Sequence, residues 1–307
     1  MPEVIYLIDN ISTDTKQFRE IISHGSNQFP IQIYRNDFSQ YFNHTIDWHW
    51  HPEVEFAFVI SGKAVCYIND SKFEAGEGEG FFINSNTIHK EVPLNDTDPP
   101  ILTTVCFLSD FIGDCGSDLI FRKSIQPVIS DTSLKGMPLS PEIEWQKRIL
   151  DILENMYFMK ESDSWGFEFK CRNMISELWY QLALNLRHKP QNTFVSNKMI
   201  INENRIKKML SFIHSNFNRE LSVDEISKSA NISKSECFRC FKIMIDQKPI
   251  AYLNEFRLKQ AVQMLIETNM QITEICFACG FNHISYFGKL FRQYYGMSPK
   301  MFRKNHS

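Results

Sequence analysis

The sequence predicts a multidomain protein: an all-β barrel with connecting helices, followed by an all-α domain of two helix-turn-helix units joined by a long helix. Three observations predict this fold class. Short apolar runs separated by turn signals fill residues 30–108, which is typical of a small antiparallel barrel. Apolar stripes with helical spacing follow. The last part of the chain repeats itself with an offset of 49–50 residues.

Composition limits the class of protein. The chain has 307 residues, 43% of them apolar and 22% charged, which excludes disordered, collagen-like and small disulfide-rich proteins. No basic segment followed by an apolar one opens the sequence, and no 18 consecutive residues are apolar. The 8 cysteines are too sparse for a secreted disulfide framework. We therefore expect a cytoplasmic protein with reduced cysteines.

Charge divides the chain near residue 200. Residues 200–307 carry 16 basic and 9 acidic side chains, a net charge of +7, whereas residues 1–199 carry a net charge of −10. A basic module joined to an acidic one favours an anionic partner for the first, most often nucleic acid.

The β-rich region comes first and the helices follow. Turn signals at Ser61-Gly62-Lys63, at Asn69-Asp70 and over 76–80 separate β-type runs such as FAFVI and ILTTVCF. These runs assign residues 1–140 to the barrel. Two helices are expected within 141–188, a polar linker at 189–199, and the helical domain at 200–307.

The repeat predicts two copies of one helix-turn-helix unit. Ile226 pairs with Ile275, Phe241 with Phe291, and Pro249 with Pro299. Capping boxes are expected at Ser222 with Glu225 and at Ser233 with Glu236. A spine helix over 250–266 would rise roughly 26 Å, enough with its flanking turns to hold two recognition helices near one DNA turn apart.

These residues carry a family resemblance. The string ITEICFACGFNHISYFGKLFRQYYGMSPKMFR at 272–303, preceded by ISKSECFRCFK and NEFRLKQAVQML, resembles the DNA-binding domain of the AraC/XylS family of bacterial transcription regulators. The resemblance covers about 100 residues, at 205–303. One departure is Cys276, where the family usually carries Ala.

The resemblance implies that the second helix of each unit enters the major groove of double-stranded DNA. The positions that match the DNA-facing surface are Ser233, Ser235, Phe238, Arg239, Lys242, His283, Ser285, Tyr286, Lys289 and Arg292. Arg239 could bind guanine with two hydrogen bonds, whereas Lys242 and Arg292 suit phosphates. Tyr286 could equally be a packing residue.

Two CxxC pairs, Cys237–Cys240 and Cys276–Cys279, could in principle bind zinc. Both pairs lie on predicted helices, and their separation exceeds that of compact zinc modules. We interpret them as core residues, because free cysteine behaves as a small buried hydrophobe.

The N-terminal part also carries a resemblance. The spacing His49-x-His51-x3-Glu55-x6-Gly62 resembles the first motif of cupins, which are jelly-roll barrels. The segment from Asn84 to His89 resembles the second motif, with Asn84 and Asn86 in place of Pro and Gly. On paired strands, the even separations of His49, His51 and Glu55 would direct them to one barrel face.

The barrel is therefore a candidate sensor. We expect a small polar metabolite, such as a sugar, to bind there. The candidate effector-binding residues are Trp48, His49, Trp50, His51, Glu55, Asn84, Asn86 and His89. An alternative occupant is a divalent metal held by His49, His51, Glu55 and His89.

The two resemblances together imply a transcription regulator that is not an enzyme, an activator rather than a repressor, acting as a homodimer with RNA polymerase as a further partner. The helices at 141–188 could mediate the dimer through Ile149, Ile152, Leu178 and Leu182, or could cover the barrel. Two alternatives stay open: a metal-dependent cupin enzyme with a DNA-binding appendage, and a regulator whose barrel only dimerises.

Overall fold

A computed structural model describes residues 29–41, 44–69, 71–95, 97–113, 118–159, 165–187 and 197–306. The described residues up to Ile200 belong to one compact unit and those from Ile201 onward to a second. Of the predicted linker at 189–199, residues 189–196 lie outside the described residues. Residues 197–199 are helical and not linker, because the next helix already begins at Asn197.

The first unit contains two antiparallel sheets that face each other. Their strands are β1 (Ile31–Asp37), β2 (Ile46–His49), β3 (Val54–Ser61), β4 (Lys63–Ile68), β5 (Ser71–Gly76), β6 (Gly80–Ile83), β7 (His89–Pro93), β8 (Ile101–Phe107) and β9 (Gly136–Leu139). One sheet has the order β1-β8-β3-β6-β9 and the other β2-β7-β4-β5. This arrangement confirms the predicted barrel. The turn between β3 and β4 needs Gly62, which has a φ of +77°.

Strand β3 is buried on both faces, which explains its nearly continuous apolar run. Ala57 and Val59 point into the barrel, where they pack against side chains of the second sheet such as Cys66. Phe56 and Phe58 point the other way into a second apolar cluster. Period-two alternation therefore divides one strand between two cores.

Two helices cover the outer face of the five-stranded sheet. A short helix α1 (Gln126–Ile129) precedes α2 (Glu144–Phe158) and α3 (Phe167–Leu186). Ile149, Leu178 and Leu182 are fully buried in the cluster between this sheet and the helices, and Ile152 is partly buried there. The predicted dimer seam is therefore wrong for these residues, because the chain itself covers them.

The second unit consists of seven helices among the described residues. They are α4 (Asn197–Asn216), α5 (Val223–Ser229), α6 (Lys234–Ile245), α7 (Pro249–Glu267), α8 (Ile272–Ala278), α9 (Ile284–Tyr295) and α10 (Pro299–His306). Both predicted helix-turn-helix units are present, as α5–α6 and α8–α9, and α7 is the predicted spine with one more residue at each end. The predicted fold class is confirmed.

The helix ends follow the expected chemistry with one exception. Ser222 and Glu225 form the full capping box of α5. At α6, the Ser233 hydroxyl accepts from the backbone N–H of Glu236 at 3.3 Å, but the Glu236 carboxylate pairs with arginines and does not return to the cap. The second capping box is therefore only half formed, because a guanidinium competes better for a carboxylate than a backbone N–H does.

The four cysteines of the CxxC pairs are buried, as expected for core residues. Burial raises the pKa of the Cys237 thiol to about 11 and that of the Cys240 thiol to about 12. These pKa shifts follow from the burial of both thiols, as expected for cysteines that pack as small apolar side chains.

Candidate functional sites: a histidine–carboxylate cluster and a two-helix DNA interface

Four side chains converge inside the barrel, and we call His49, His51, Glu55 and His89 the barrel cluster. Each offers a ligand atom, and these atoms all lie within 4.8 Å of one another. All four side chains are buried. Among the described residues, this is the one such group able to hold a metal ion.

The cluster joins the two sheets. His49 ends β2 and pairs in register with His89 of β7, whereas Glu55 lies on β3 of the other sheet. His51 lies between the strands, because Pro52 has no N–H to donate to a ladder. His49, His51 and Glu55 therefore meet in the barrel interior from two different sheets, and not through even spacing along neighbouring strands.

Backbone carbonyl groups fix the orientation of all three imidazoles. The Nδ1 atoms of His49, His51 and His89 lie 2.7, 3.2 and 2.9 Å from backbone carbonyl oxygens. A carbonyl oxygen only accepts, so each Nδ1 donates its proton. In a neutral ring the lone pair is then on Nε2, which is the arrangement that orients histidine ligands of metals.

The Nε2 atoms and Glu55 require a shared cation. The Nε2 atom of His51 lies 2.9 Å and that of His89 lies 3.3 Å from Oε2 of Glu55, and Nε2 of His89 is buried without a hydrogen bond. Two lone pairs facing a carboxylate repel it unless a proton or a metal ion lies between them. The residues present therefore fit a divalent metal ion.

The electrostatics of the cluster favour a neutral His49 and an ionised Glu55. Burial, together with the charges of His89 and His51, holds the pKa of His49 well below its usual value. Burial opposes ionisation of Glu55, but the charge of His89 and the hydrogen bond from His51 outweigh it and hold the Glu55 pKa well below its usual range. Burial also opposes protonation of His89, but the charge of Glu55 outweighs it and raises the His89 pKa.

Glu91 is a second buried carboxyl group beside the cluster, which the sequence reasoning missed. Burial and the charge of Glu55 raise the pKa of Glu91 to about 8. The signal that could have found it is its position two residues after His89 on the same strand, which directs both side chains to one face.

The pKa of Glu91 predicts how the stability of the metal-free protein depends on pH. Folded Glu91 keeps a proton that the unfolded chain releases, so the free energy of unfolding should fall by about 2 kcal/mol between pH 6.5 and 8, at about 1.4 kcal/mol per pH unit. The raised pKa of His89 acts in the same direction. Urea unfolding in EDTA, followed by tryptophan fluorescence, measures this change, since all 5 tryptophans lie within residues 1–188.

The matched variant is Glu91→Gln, which keeps the shape of the side chain and removes the titration. It should lose most of the slope and retain the part that His89 contributes. An unchanged slope in Glu91→Gln would assign the pH dependence to another group.

The other predicted effector residues lie outside the barrel cluster. Trp48 packs beside Tyr67 at 6.3 Å between ring centroids, and Tyr67 alternates along β4 with the inward-facing Cys66 and Ile68, so this pair occupies the outer face of the sheet. Trp50 is half-buried. The expectation that Trp48 offers a stacking surface beside the histidines is therefore wrong.

The two asparagines have structural roles. The Asn84 amide donates to the carbonyl oxygens of Val128 and Leu134 at 3.0 and 2.8 Å, which fastens the segment around α1 to the barrel. Asn86 is exposed and has a φ of +57°. Asparagine tolerates this left-handed conformation, which explains why it can replace the glycine of the cupin motif.

The second site is formed by α6 and α9. Nine of the ten predicted DNA-facing residues are exposed, and the Arg239 side chain is 34% exposed. Lys289 and Arg292 border a shallow depression on α9 together with Ser285 and Ser298. Exposed basic side chains on one helix suit phosphate oxygens.

Tyr286 combines the two roles left open by the sequence. Its hydroxyl accepts a hydrogen bond from the Asn254 amide at 3.1 Å, and its ring is 47% exposed. Asn254 belongs to the spine helix α7, so Tyr286 both packs on the spine and reaches the surface of α9. Arg239 donates to Glu236 of its own helix, with 2.7 Å between Nε and Oε2.

The fold and these two sites define a transcription regulator with an N-terminal cupin barrel and a C-terminal tandem helix-turn-helix domain. The model of a helix-turn-helix domain matches residues 226–305, and that of a cupin domain matches residues 43–104. The chain therefore carries an AraC-type helix-turn-helix domain and a cupin domain, and its relatives are AraC-family transcription regulators.

Relatives agree with this assignment. The chain is similar to the uncharacterised HTH-type transcriptional regulator YdeC of Bacillus subtilis, with 28% identity over 95% of this chain and 98% of that one. It is also similar to the HTH-type transcriptional activator RhaS of Klebsiella pneumoniae, with 22% identity over 83% and 87% of the two chains. The lactose operon transcription activator of Staphylococcus xylosus is 30% identical over 44% of this chain and 48% of that one.

A solved AraC-type regulator from Chromobacterium violaceum is 28% identical over 34% of this chain and 94% of that one, with a TM-score of 0.33. YdeC and RhaS are named as transcription regulators and not as enzymes, which confirms the prediction that this chain is not an enzyme. The alternative of a metal-dependent cupin enzyme is therefore set aside. No helix in the described part of the chain is long and apolar enough to cross a membrane.

Proposed function

We propose that this protein is a sequence-specific transcription regulator whose affinity for DNA changes when a divalent transition-metal ion binds to the barrel cluster. The observation that supports the metal is the convergence of three imidazoles, each held through Nδ1, on the carboxylate of Glu55. Three nitrogens and one carboxylate suit zinc, iron, nickel or manganese. We place the protein in the cytoplasm, where it has access to DNA.

A second candidate effector is a sugar or a similar polar metabolite. The name of the Staphylococcus xylosus relative, a lactose operon transcription activator, supports this candidate. An octahedral ion such as Mn²⁺ or Ni²⁺ held by these four ligands would keep coordination positions open to oxygen atoms, so a polyhydroxylated ligand could complete its shell, whereas four protein ligands fill the tetrahedral shell of Zn²⁺. The names of that relative and of RhaS also favour activation over repression, and an activator would act on RNA polymerase.

A homodimer remains part of the proposal, with a different surface from the predicted seam. The outward face of α3 exposes Phe169 and Tyr180, which are 70% and 55% exposed. Large apolar side chains on a helix surface favour association, and a dimer would present four helix-turn-helix units to two half-sites.

The test begins with duplexes selected from a random library by the full chain. Their affinity is then measured by fluorescence anisotropy in EDTA and in Zn²⁺, Mn²⁺ or Ni²⁺. A coupling of about 1–3 kcal/mol would change the affinity about 5- to 150-fold. Failure to enrich any sequence would refute the regulator, whereas equal affinity in EDTA, in each metal and in a panel of sugars would leave a barrel that only dimerises.

Arg239→Ala tests the reading of DNA. We expect it to weaken binding to the selected duplex by about 1–3 kcal/mol, because a guanidinium that donates two hydrogen bonds to guanine is lost. Anisotropy on the selected and on a scrambled duplex measures the effect. Equal losses on both would make Arg239 a backbone contact.

A further inference from the structure

Glu236 lies on the recognition helix α6 between two arginines. Its Oε1 lies 2.8 Å from Nη1 of Arg205, which belongs to α4. Its two oxygens also accept from Nε and Nη2 of Arg239, one turn later on α6. The family resemblance singled out Arg239, whereas the spacing of Ser233 and Glu236 gave Glu236 only a capping role, which its side chain does not fill.

Glu236 pairs with one edge of the Arg239 guanidinium, and a second edge stays available for hydrogen bonds to DNA. Arginine has five N–H donors, and Glu236 accepts from Nε–H and from one proton of Nη2. Both protons of Nη1 and the second proton of Nη2 stay available, and together they form a second edge that can donate two parallel hydrogen bonds. Guanine O6 and N7 need such an edge.

The second arginine fixes the carboxylate itself. The Arg205 side chain is 30% exposed and that of Glu236 is 27% exposed, so the contact is partly shielded from solvent. An isolated pair within one exposed helix holds its geometry weakly, but a carboxylate bound from two helices has fewer orientations. Arg239 is therefore oriented by a group that is itself anchored outside α6.

We propose that Glu236 is a positioning residue that sets base preference by orienting Arg239 toward a single guanine. The proposal deepens the DNA-binding function proposed above and rests on it. A freely rotating arginine binds any nearby phosphate as well as a base, whereas an oriented one loses little side-chain entropy when it meets its base. By orienting Arg239, Glu236 favours hydrogen bonds from Arg239 to one guanine over ion pairs with nearby phosphates.

The test compares Glu236→Gln with a control that removes the same charge from the same helix. Asp246 is the C-cap that directly follows α6, and it pairs with Lys242 of that helix. Its φ is +51°, a conformation that asparagine tolerates, so Asp246→Asn should preserve the fold. Glu236→Gln should also fold, since the cap of α6 uses the backbone N–H of residue 236 and not its side chain.

The full chain and both variants are titrated with the duplex selected by the unaltered protein and with all its single base-pair variants. Arg239→Ala identifies the guanine that Arg239 reads. At this base pair the unaltered chain should discriminate by about 5- to 150-fold. We expect Glu236→Gln to reduce that discrimination to about threefold or less, and Asp246→Asn to leave it intact while changing affinity for every duplex alike.

The double variant completes the test. If Glu236 acts through Arg239, Glu236→Gln should have no further effect on base preference in the Arg239→Ala background. Three results would overturn the proposal: discrimination in Glu236→Gln equal to that in Asp246→Asn, a change at another base pair that persists without Arg239, or no position-specific effect of Arg239→Ala. Each of these leaves the DNA-binding function standing, because that function is tested by whether the selection enriches a sequence.

Discussion

Replacing His51 with Ala is expected to weaken binding of a divalent ion about 100-fold or more, since even the groups behind a metal ligand are worth 10- to 100-fold. His51 contributes its Nε2 atom to the barrel cluster and contacts Glu55 directly. The loss of His51 therefore removes one metal ligand and also removes the contact that orients the Glu55 carboxylate. Isothermal titration of the full chain with Zn²⁺, Mn²⁺ or Ni²⁺ measures the affinity.

The same variant should separate sensing from DNA binding. Affinity for the selected duplex in EDTA should stay within about twofold of the unaltered value, because the cluster and the recognition helices belong to different units. The metal-dependent change in DNA affinity should disappear. Tryptophan fluorescence tests whether the barrel remains folded, since the DNA-binding unit contains no tryptophan.

The control for His51→Ala is His44→Asn. His44 belongs to the same unit, donates through Nδ1 to the carbonyl oxygen of Phe38 at 3.0 Å and is not part of the barrel cluster. Its φ is +52°, which asparagine tolerates. Metal affinity should survive in His44→Asn. Equal losses in the two variants would show that the barrel was damaged and would remove the support for a specific site.

Gly280→Ala is expected to destabilise the DNA-binding unit by about 3 kcal/mol or more, because a Cβ there meets backbone and also needs a strained φ. Gly280 has a φ of +78°, and an added Cβ would overlap the carbonyl oxygen of Phe217 and lie 2.9 Å from Nη2 of Arg257. Arg257 donates to the carbonyl oxygens of Phe217 and Arg219. The substitution therefore pushes apart the contact that holds α7 against the end of α4.

Hydrogen exchange of the full chain measures this loss unit by unit, with DNA affinity as a second measure. Protection in α7 to α9 should fall, while protection of the barrel strands stays unchanged. The control is Gly296→Ala, which shares a positive φ of +69° but has no atom within 4 Å of the added Cβ. Gly296→Ala should lose only the stability that the strained φ costs, without the loss from steric overlap. If the two variants lose stability equally, the close approach at Gly280 contributes nothing.

Much of the DNA-binding unit could be predicted from local pattern. The spine helix, the recognition helices and the capping box of Ser222 with Glu225 follow from apolar spacing and from side chains that bond to backbone within four residues. Such signals act over short distances along the chain. The ion pair of Glu236 with Arg205 spans 31 residues and two helices, so no local pattern marks it.

In the barrel, the sequence predicted the strands and the clustered side chains but not the roles of the residues around them. The strands could be predicted from alternation, and the four members of the barrel cluster from their resemblance to the two cupin motifs. The roles of the neighbouring residues could not. Asn84 and Trp48 have the residue types of a binding pocket, but one amide is used by backbone carbonyls and one ring lies beside Tyr67 on the outer face.

The sequence by itself determined the two-part architecture, the family and the side chains able to bind metal or DNA, because these depend on residue type and on periodicity. Only the tertiary structure decided which polar groups meet, which apolar faces the chain covers itself and which carboxyl groups share a buried space. Those depend on distances between segments remote in sequence. Hydrogen bonds and charge interactions act over a few ångströms, and folding sets those distances.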